Sequence, residues 1–196
     1  MPAPQEFAGL NFSEGEKRTR VPFSEGWIRD KLLAPGALSG LNKEARCILL
    51  GMVNTGYRPS EGQSLKAGHI RLDVDFPHIT IEPEGRTLKT GPSRRIIPLA
   101  GVSLEAFKEC PEGFPRYFTS AGLSATVNKF MRENALAETP EHTLYGIRHG
   151  FEDRMTDRDV EERIKADLMG HAISRERYGK GASLEKLAGM VRFIAL

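Results

Sequence analysis

"HTLYGIRHGFEDRM", residues 142–155, sets Leu144, Ile147, Phe151 and Met155 at helical spacing, so it predicts an amphipathic helix with those four side chains facing a core. The neighbouring stripe then carries Tyr145, Arg148 and Glu152, with Tyr145 and Arg148 one turn apart. An arginine beside a buried seam is either a snorkelling or ion-paired side chain or part of a site. The sequence on either side of the helix has to separate the two.

Helical patterning continues in both directions. Downstream come "DVEERIKADLM" and "SLEKLAGMVRF"; upstream come "SATVNKFMREN" and "VSLEAFKEC", joined by loops that hold Gly113, Pro115, Gly122, Pro140, Gly170 and Gly181. Before these, "HIRLDVDFPHITIEPEGRTLKTGPSRRIIPL" alternates apolar and polar residues between Pro and Gly turns, which predicts a small antiparallel sheet of three strands. Earlier still, "SGLNKEARCILLGMVNTG" reads as a helix from a Ser39 cap to a Gly56 stop, and "SEGWIRDKLL" as one that turns Trp27, Ile28 and Leu32 to one face. Residues 1–19 mix Pro, Gly and charge without periodicity and read as a linker or arm. The class is α+β, mostly α, with one domain over residues 20–196.

At 196 residues, 39% hydrophobic and 28% charged, the composition is that of an ordinary globular protein. A formal net charge of +2 is compatible with a polyanionic partner but too small to argue for one unaided. Cys47 lies in an apolar run and Cys110 before Pro111, without disulfide-framework or metal spacing, which fits a reducing, cytoplasmic setting. There is no signal-peptide pattern and no apolar run of membrane-spanning length, so no membrane partner is expected.

Other chemistry-bearing residues are scattered. "TGYRPSEGQSL" stops one helix at Gly56, starts another at Pro59 and leaves Arg58 in the joint with Glu61 in reach; a planar guanidinium there ties down carbonyls or grips the two non-bridging oxygens of a phosphate. Lys89 lies in "GRTLKTGPSRR" with Arg86, Arg94 and Arg95, a solvated hairpin face or a strip that tracks a nucleic-acid backbone. His171 follows Gly170 at a helix end, and Tyr178 stands in a glycine-broken stretch between Arg175, Arg177 and Gly179. A zinc site from His142, His149 and Glu152 is a weak alternative, since histidines seven residues apart share a helix face.

In order and rough separation, Arg58 in "TGYRPSE", Lys89 in a β turn, Arg148 in "YGIRHGF", His171 in "LMGHAIS" and Tyr178 in "RERYG" resemble the catalytic domains of tyrosine recombinases of the phage-integrase family, from about Arg20 to the end of the chain. Two features depart from that family. Tyr145 holds the place, three residues before Arg148, where most members have histidine; His149 is close by but outside that slot. From His171 to Tyr178 there are seven residues where nine are usual, so the nucleophile helix is trimmed.

The resemblance implies metal-free, ATP-free cleavage and rejoining of DNA through a 3′-phosphotyrosyl bond, with no cofactor. It implies Tyr178 as nucleophile, Arg58, Arg148 and His171 as phosphate ligands, Lys89 as general acid, Tyr145 in the histidine slot, and Glu61 and His149 in support. DNA contacts are expected from Arg86, Arg94, Arg95, Arg175 and Arg177, and from Lys129 and Arg132 on "SATVNKFMREN". The implied partners are double-stranded attachment sites, three further protomers in a tetramer on DNA, and accessory directionality or bending proteins, in a cytoplasmic, nucleoid-associated setting. An amino-terminal DNA-clamping domain, which complete integrases carry, is expected to be absent. A type IB topoisomerase shares the chemistry, and a DNA-binding regulator that lost the reaction shares the fold. The apolar tail "SLEKLAGMVRFIAL" docks on its own domain or on a neighbour.

Overall fold

The computed structural model describes residues 20–82, 94–118, 120–171 and 181–196. In chain order these form α1 (Glu25–Trp27), continued by a π-helical turn (Ile28–Leu32), then α2 (Lys43–Val53), α3 (Pro59–Gly62) and a 3-10 turn (Ala67–His69). A sheet of β1 (Ile70–Arg71), β2 (His78–Ile81) and β3 (Arg95–Pro98) follows, and α4 (Gly101–Glu109), α5 (Leu123–Glu133), α6 (Leu144–Asp157), α7 (Glu162–Met169) and α8 (Leu184–Ile194) complete the chain.

The core forms where α2 meets α4 and α6. Cys47, Ile48, Leu49, Met52 and Val53 of α2 are buried with Ala106 and Phe107 of α4 and with Leu144, Ile147, Phe151 and Met155 of α6, the seam that the periodicity of residues 142–155 predicts. Tyr57 lies fully buried at the end of α2, with its hydroxyl donating to the Ile48 carbonyl at 2.8 Å and its ring edge-on to Phe107. The three strands run antiparallel in the order β1-β2-β3, with Ile79 opposite Ile97. Ile79, Ile81 and Ile97 face inward and Ile96 outward, so one face of the sheet is buried; α7 and α8 pack against β3.

One local reading needs correction. α2 is capped by Asn42 rather than Ser39: the Asn42 carboxamide accepts from the Ala45 amide at 3.1 Å and donates to the Tyr117 hydroxyl at 2.8 Å. Residues 37–41 form turns that bury Leu38 and Leu41, so the helix cannot start at Ser39. The two cysteines, distant in sequence, are both free and buried, and burial together with the nearby Cys110 thiol pushes the Cys47 thiol up to about 12.

The tail packs on its own domain. Leu187, Ala188, Val191 and Ile194 of α8 are buried, while Phe193 is 66% exposed. Beyond α8, the Leu196 amide donates to Asn54 Oδ1 at 3.0 Å and its carbonyl accepts from Asn54 Nδ2 at 2.9 Å and from the Val102 amide at 3.0 Å. Arg154, only 1% exposed, holds the same junction by donating to the carbonyls of Val53 and Ile194 and to Asn54 Oδ1.

Candidate functional site

The left-handed turn at Gly56 (φ +59°) ends the segment that begins with α2, and a Cβ there would lie 2.5 Å from the Phe151 ring and 2.9 Å from the Met169 sulfur. The turn delivers Arg58 to the N-cap of α3, with Pro59 at the first helical position. Glu61 closes this short helix. Its carboxylate accepts from the Arg58 backbone amide at 2.7 Å, and from the Arg58 guanidinium at 2.7 Å. From β3, Arg95 adds a two-nitrogen grip on the same carboxylate at 2.8 and 3.1 Å, and its Nε donates to the Leu168 carbonyl at 2.8 Å.

Arg95, expected as a DNA contact, is 8% exposed; it faces the interior and ties α3 to the end of α7. Burial alone would raise the Glu61 carboxyl, but the Arg95 hydrogen bonds and charge, helped by Arg58, hold it at about 2. Arg94, the adjacent residue, is exposed and paired with Glu82 at 2.8 Å.

Arg148 reaches this cluster from α6. It is 1% exposed, and its guanidinium donates to the carbonyl of Gly56, to that of Met169 at 2.7 Å, and to His171 Nε2 at 3.0 Å. These partners are carbonyls and an imidazole, with no carboxylate among them. Burial and then the charges of Arg58 and Arg95 lower the Arg148 guanidinium to about 10. Such a crowd of guanidiniums gains most from an anion.

His171 hangs just past α7, its amide donating to the Ala166 carbonyl at 3.0 Å. Nε2 accepts from Arg148, which leaves the proton on Nδ1, and Nδ1 lies 3.5 Å from Glu152. Burial and the Arg148 charge push this imidazole below its ordinary value, against the opposing pull of Glu152. Glu152 thus faces His171 and, at 3.9 Å, His149. Burial likewise lowers the His149 imidazole.

Tyr145, half-buried, stands close enough to Arg58 to interact with it electrostatically. Its ring lies 5.4 Å from that of His149 and carries the Arg20 guanidinium 3.7 Å above its centroid. His142 is elsewhere: buried, with Nε2 3.0 Å from the Pro22 carbonyl and Nδ1 engaged by Thr139. The zinc alternative loses its first ligand by that geometry, and among the described residues no group of three or more His, Cys, Asp or Glu is arranged to hold a metal ion.

Arg58, Tyr145, Arg148 and His171 therefore come together, with Glu61 paired to Arg58 and the His149 ring beside that of Tyr145. Lys129 and Arg132 are exposed on α5, with Lys129 3.8 Å from Glu133. Lys89, Tyr178, Arg86, Arg175 and Arg177 lie outside the described residues. Sequence reasoning missed Arg20, Arg154 and the inward turn of Arg95. For Arg95 there was a signal: it stands two residues before Ile97, on the same face of an alternating strand.

This arrangement of helices and small sheet is shared with solved structures. The integrase from mycobacterium phage Brujita superposes with a TM-score of 0.58 at 19% identity, over 78% of this chain. The Tn1549 transposon integrase in complex with circular intermediate DNA gives 0.60 at 15% identity over 90%, and the XerH site-specific recombinase bound to palindromic difH substrate gives 0.57 at 17% over 95%. The fold is that of a tyrosine recombinase catalytic domain. The chain spans only 50%, 63% and 53% of those three proteins' lengths. No family model and no curated protein matches its sequence. On this tyrosine recombinase fold the four grouped side chains come from three separate places: the α3 joint, α6 and the end of α7.

Proposed function

We propose that the chain is the catalytic half of a site-specific DNA recombinase that cuts and rejoins strands through a phosphotyrosyl intermediate. The observation that carries this reading is Arg148, a buried guanidinium held on carbonyls and His171, near Arg58 and without a carboxylate hydrogen-bond partner among the described residues. Such a group suits an oxyanion that arrives from outside.

In the proposed reaction the Tyr178 oxygen attacks the phosphorus of a DNA phosphodiester and the bond from phosphorus to the 5′-oxygen breaks. The tyrosine proton leaves to solvent or base, and Lys89 supplies the proton taken by the leaving 5′-oxygen, which departs as a hydroxyl. One phosphodiester replaces another, so neither ATP nor a metal is required for balance. A free tyrosine with pKa of about 10 is ionised in about one part in a thousand at pH 7, a deficit of about 4 kcal/mol. Arg58, Arg148 and His171 offset it by binding the equatorial oxygens more strongly as charge gathers there. The places of Lys89 and Tyr178 in this scheme rest on the sequence resemblance.

The test is to incubate the protein with sheared genomic DNA of its source, quench in detergent and sequence the DNA that remains covalently attached. The expected result is adducts at a defined site, absent with Tyr178→Phe, which still binds DNA. An adduct that survives Tyr178→Phe overturns the assignment. Adducts without site preference, together with relaxation of supercoiled plasmid, favour the topoisomerase reading. Tyr145 in the histidine slot favours a second reading, a regulator that binds DNA without cutting it; DNA binding with no adduct is its signature.

A further inference from the structure

We propose that Arg20 is a positioning residue of the oxyanion site, acting through the Tyr145 hydroxyl. The inference rests on the anion site of the proposed function but concerns a residue that the expected catalytic set leaves out.

The segment that carries Arg20 is laid along α6 rather than hanging free. The Phe23 amide donates to the Gly146 carbonyl at 3.3 Å, and the Pro22 carbonyl meets His142 Nε2 at 3.0 Å. Gly146 makes the close approach possible: a Cβ there would lie 2.5 Å from the Val21 carbonyl oxygen. Phe23 is 1% exposed and anchors the segment in the core. Arg20, itself exposed, is thereby placed with its guanidinium carbon 3.7 Å from the centroid of the Tyr145 ring.

A cation over an aromatic face draws electron density from the ring. In Tyr145 the effect reaches the hydroxyl, which is near enough to the Arg58 guanidinium to interact with it electrostatically and whose proton is available to an anion gripped by Arg58 and Arg148. Arg20 strengthens that donation and, with the His149 ring 5.4 Å away, fixes the orientation of the phenol. The approach segment of the chain is thus wired into the anion site.

The experiment uses sulfate as the probe, titrated at constant ionic strength into the 196-residue chain and followed by the His171 ring resonances, assigned by their loss in His171→Gln. Arg20→Gln weakens sulfate binding by roughly two- to fivefold, Arg20→Lys retains most of it, and Arg20→Gln has no further effect on a Tyr145→Phe background. An unchanged affinity in Arg20→Gln overturns the inference. So does an equal loss in the Tyr145→Phe background, which would mean a long-range charge effect that does not pass through the hydroxyl. Absence of sulfate binding by the unmodified chain overturns it as well. The titration needs no DNA, so a missing Tyr178 adduct with these sulfate results intact removes the recombinase reading alone.

Discussion

Glu61 accepts hydrogen bonds from the Arg58 amide and from two guanidiniums, so its charge sets the position of Arg58 and cancels that of the buried Arg95. Its folded carboxyl sits at about 2, below the ordinary 4.5. The pair's stabilisation is therefore complete above the unfolded value and is lost as pH falls from about 4.5 toward 2, a contribution of about 3 kcal/mol. Glu61→Gln should lower unfolding free energy at pH 7 by about 3 kcal/mol, since it removes the carboxylate charge that Arg95 and Arg58 grip. Urea denaturation at a series of pH values should show the gap between the two proteins closing in that acid window; a gap that stays constant down to pH 2 would contradict the assignment.

At the scale of elements, the site depends on how α2 ends. Gly56 turns with φ +59°, and its carbonyl is one of the partners that hold Arg148. Gly56→Ala forces an L-residue into the left-handed region and drives a Cβ against Phe151 and Met169. A loss of about 2–4 kcal/mol is expected in chemical denaturation, accompanied by weaker sulfate binding because the Arg148 partner moves. Removal of the α2 cap in Asn42→Ala should cost only about 1 kcal/mol and leave sulfate affinity unchanged. Equal effects of the two changes on sulfate would refute the link between the Gly56 turn and Arg148.

For the whole molecule, the last residues act as a clasp. Ile194 is fully buried, its carbonyl accepts from Arg154, and Leu196 pairs with Asn54 and Val102. A chain truncated after Phe193 loses the Ile194 side chain from the core and leaves Asn54 and Arg154 short of partners. Its unfolding free energy should fall by at least about 3 kcal/mol. Phe193→Ala, at a side chain that is 66% exposed, should stay within about 0.5 kcal/mol of the parent. A truncated chain with parental thermal stability would show that the tail is not part of this domain's own core.

The sequence by itself determined the elements whose signal is local. The α6 seam of Leu144, Ile147, Phe151 and Met155 follows from helical periodicity, the strands around Ile79 and Ile97 from alternation, and the start of α3 from Pro59. It also marked Arg58, Tyr145, Arg148 and His171 as one set, because their order and spacing survive as a linear pattern. Only the tertiary structure decided which charges are buried. Arg95 turns inward to Glu61, Arg148 is held on carbonyls, Glu152 faces two histidines and Arg20 covers Tyr145, and each of these depends on residues far away in the chain. A guanidinium reads the same in sequence whether water or a carbonyl from another helix solvates it. The difference is made by packing, which brings the end of α2, α6 and the end of α7 within hydrogen-bond reach of one another.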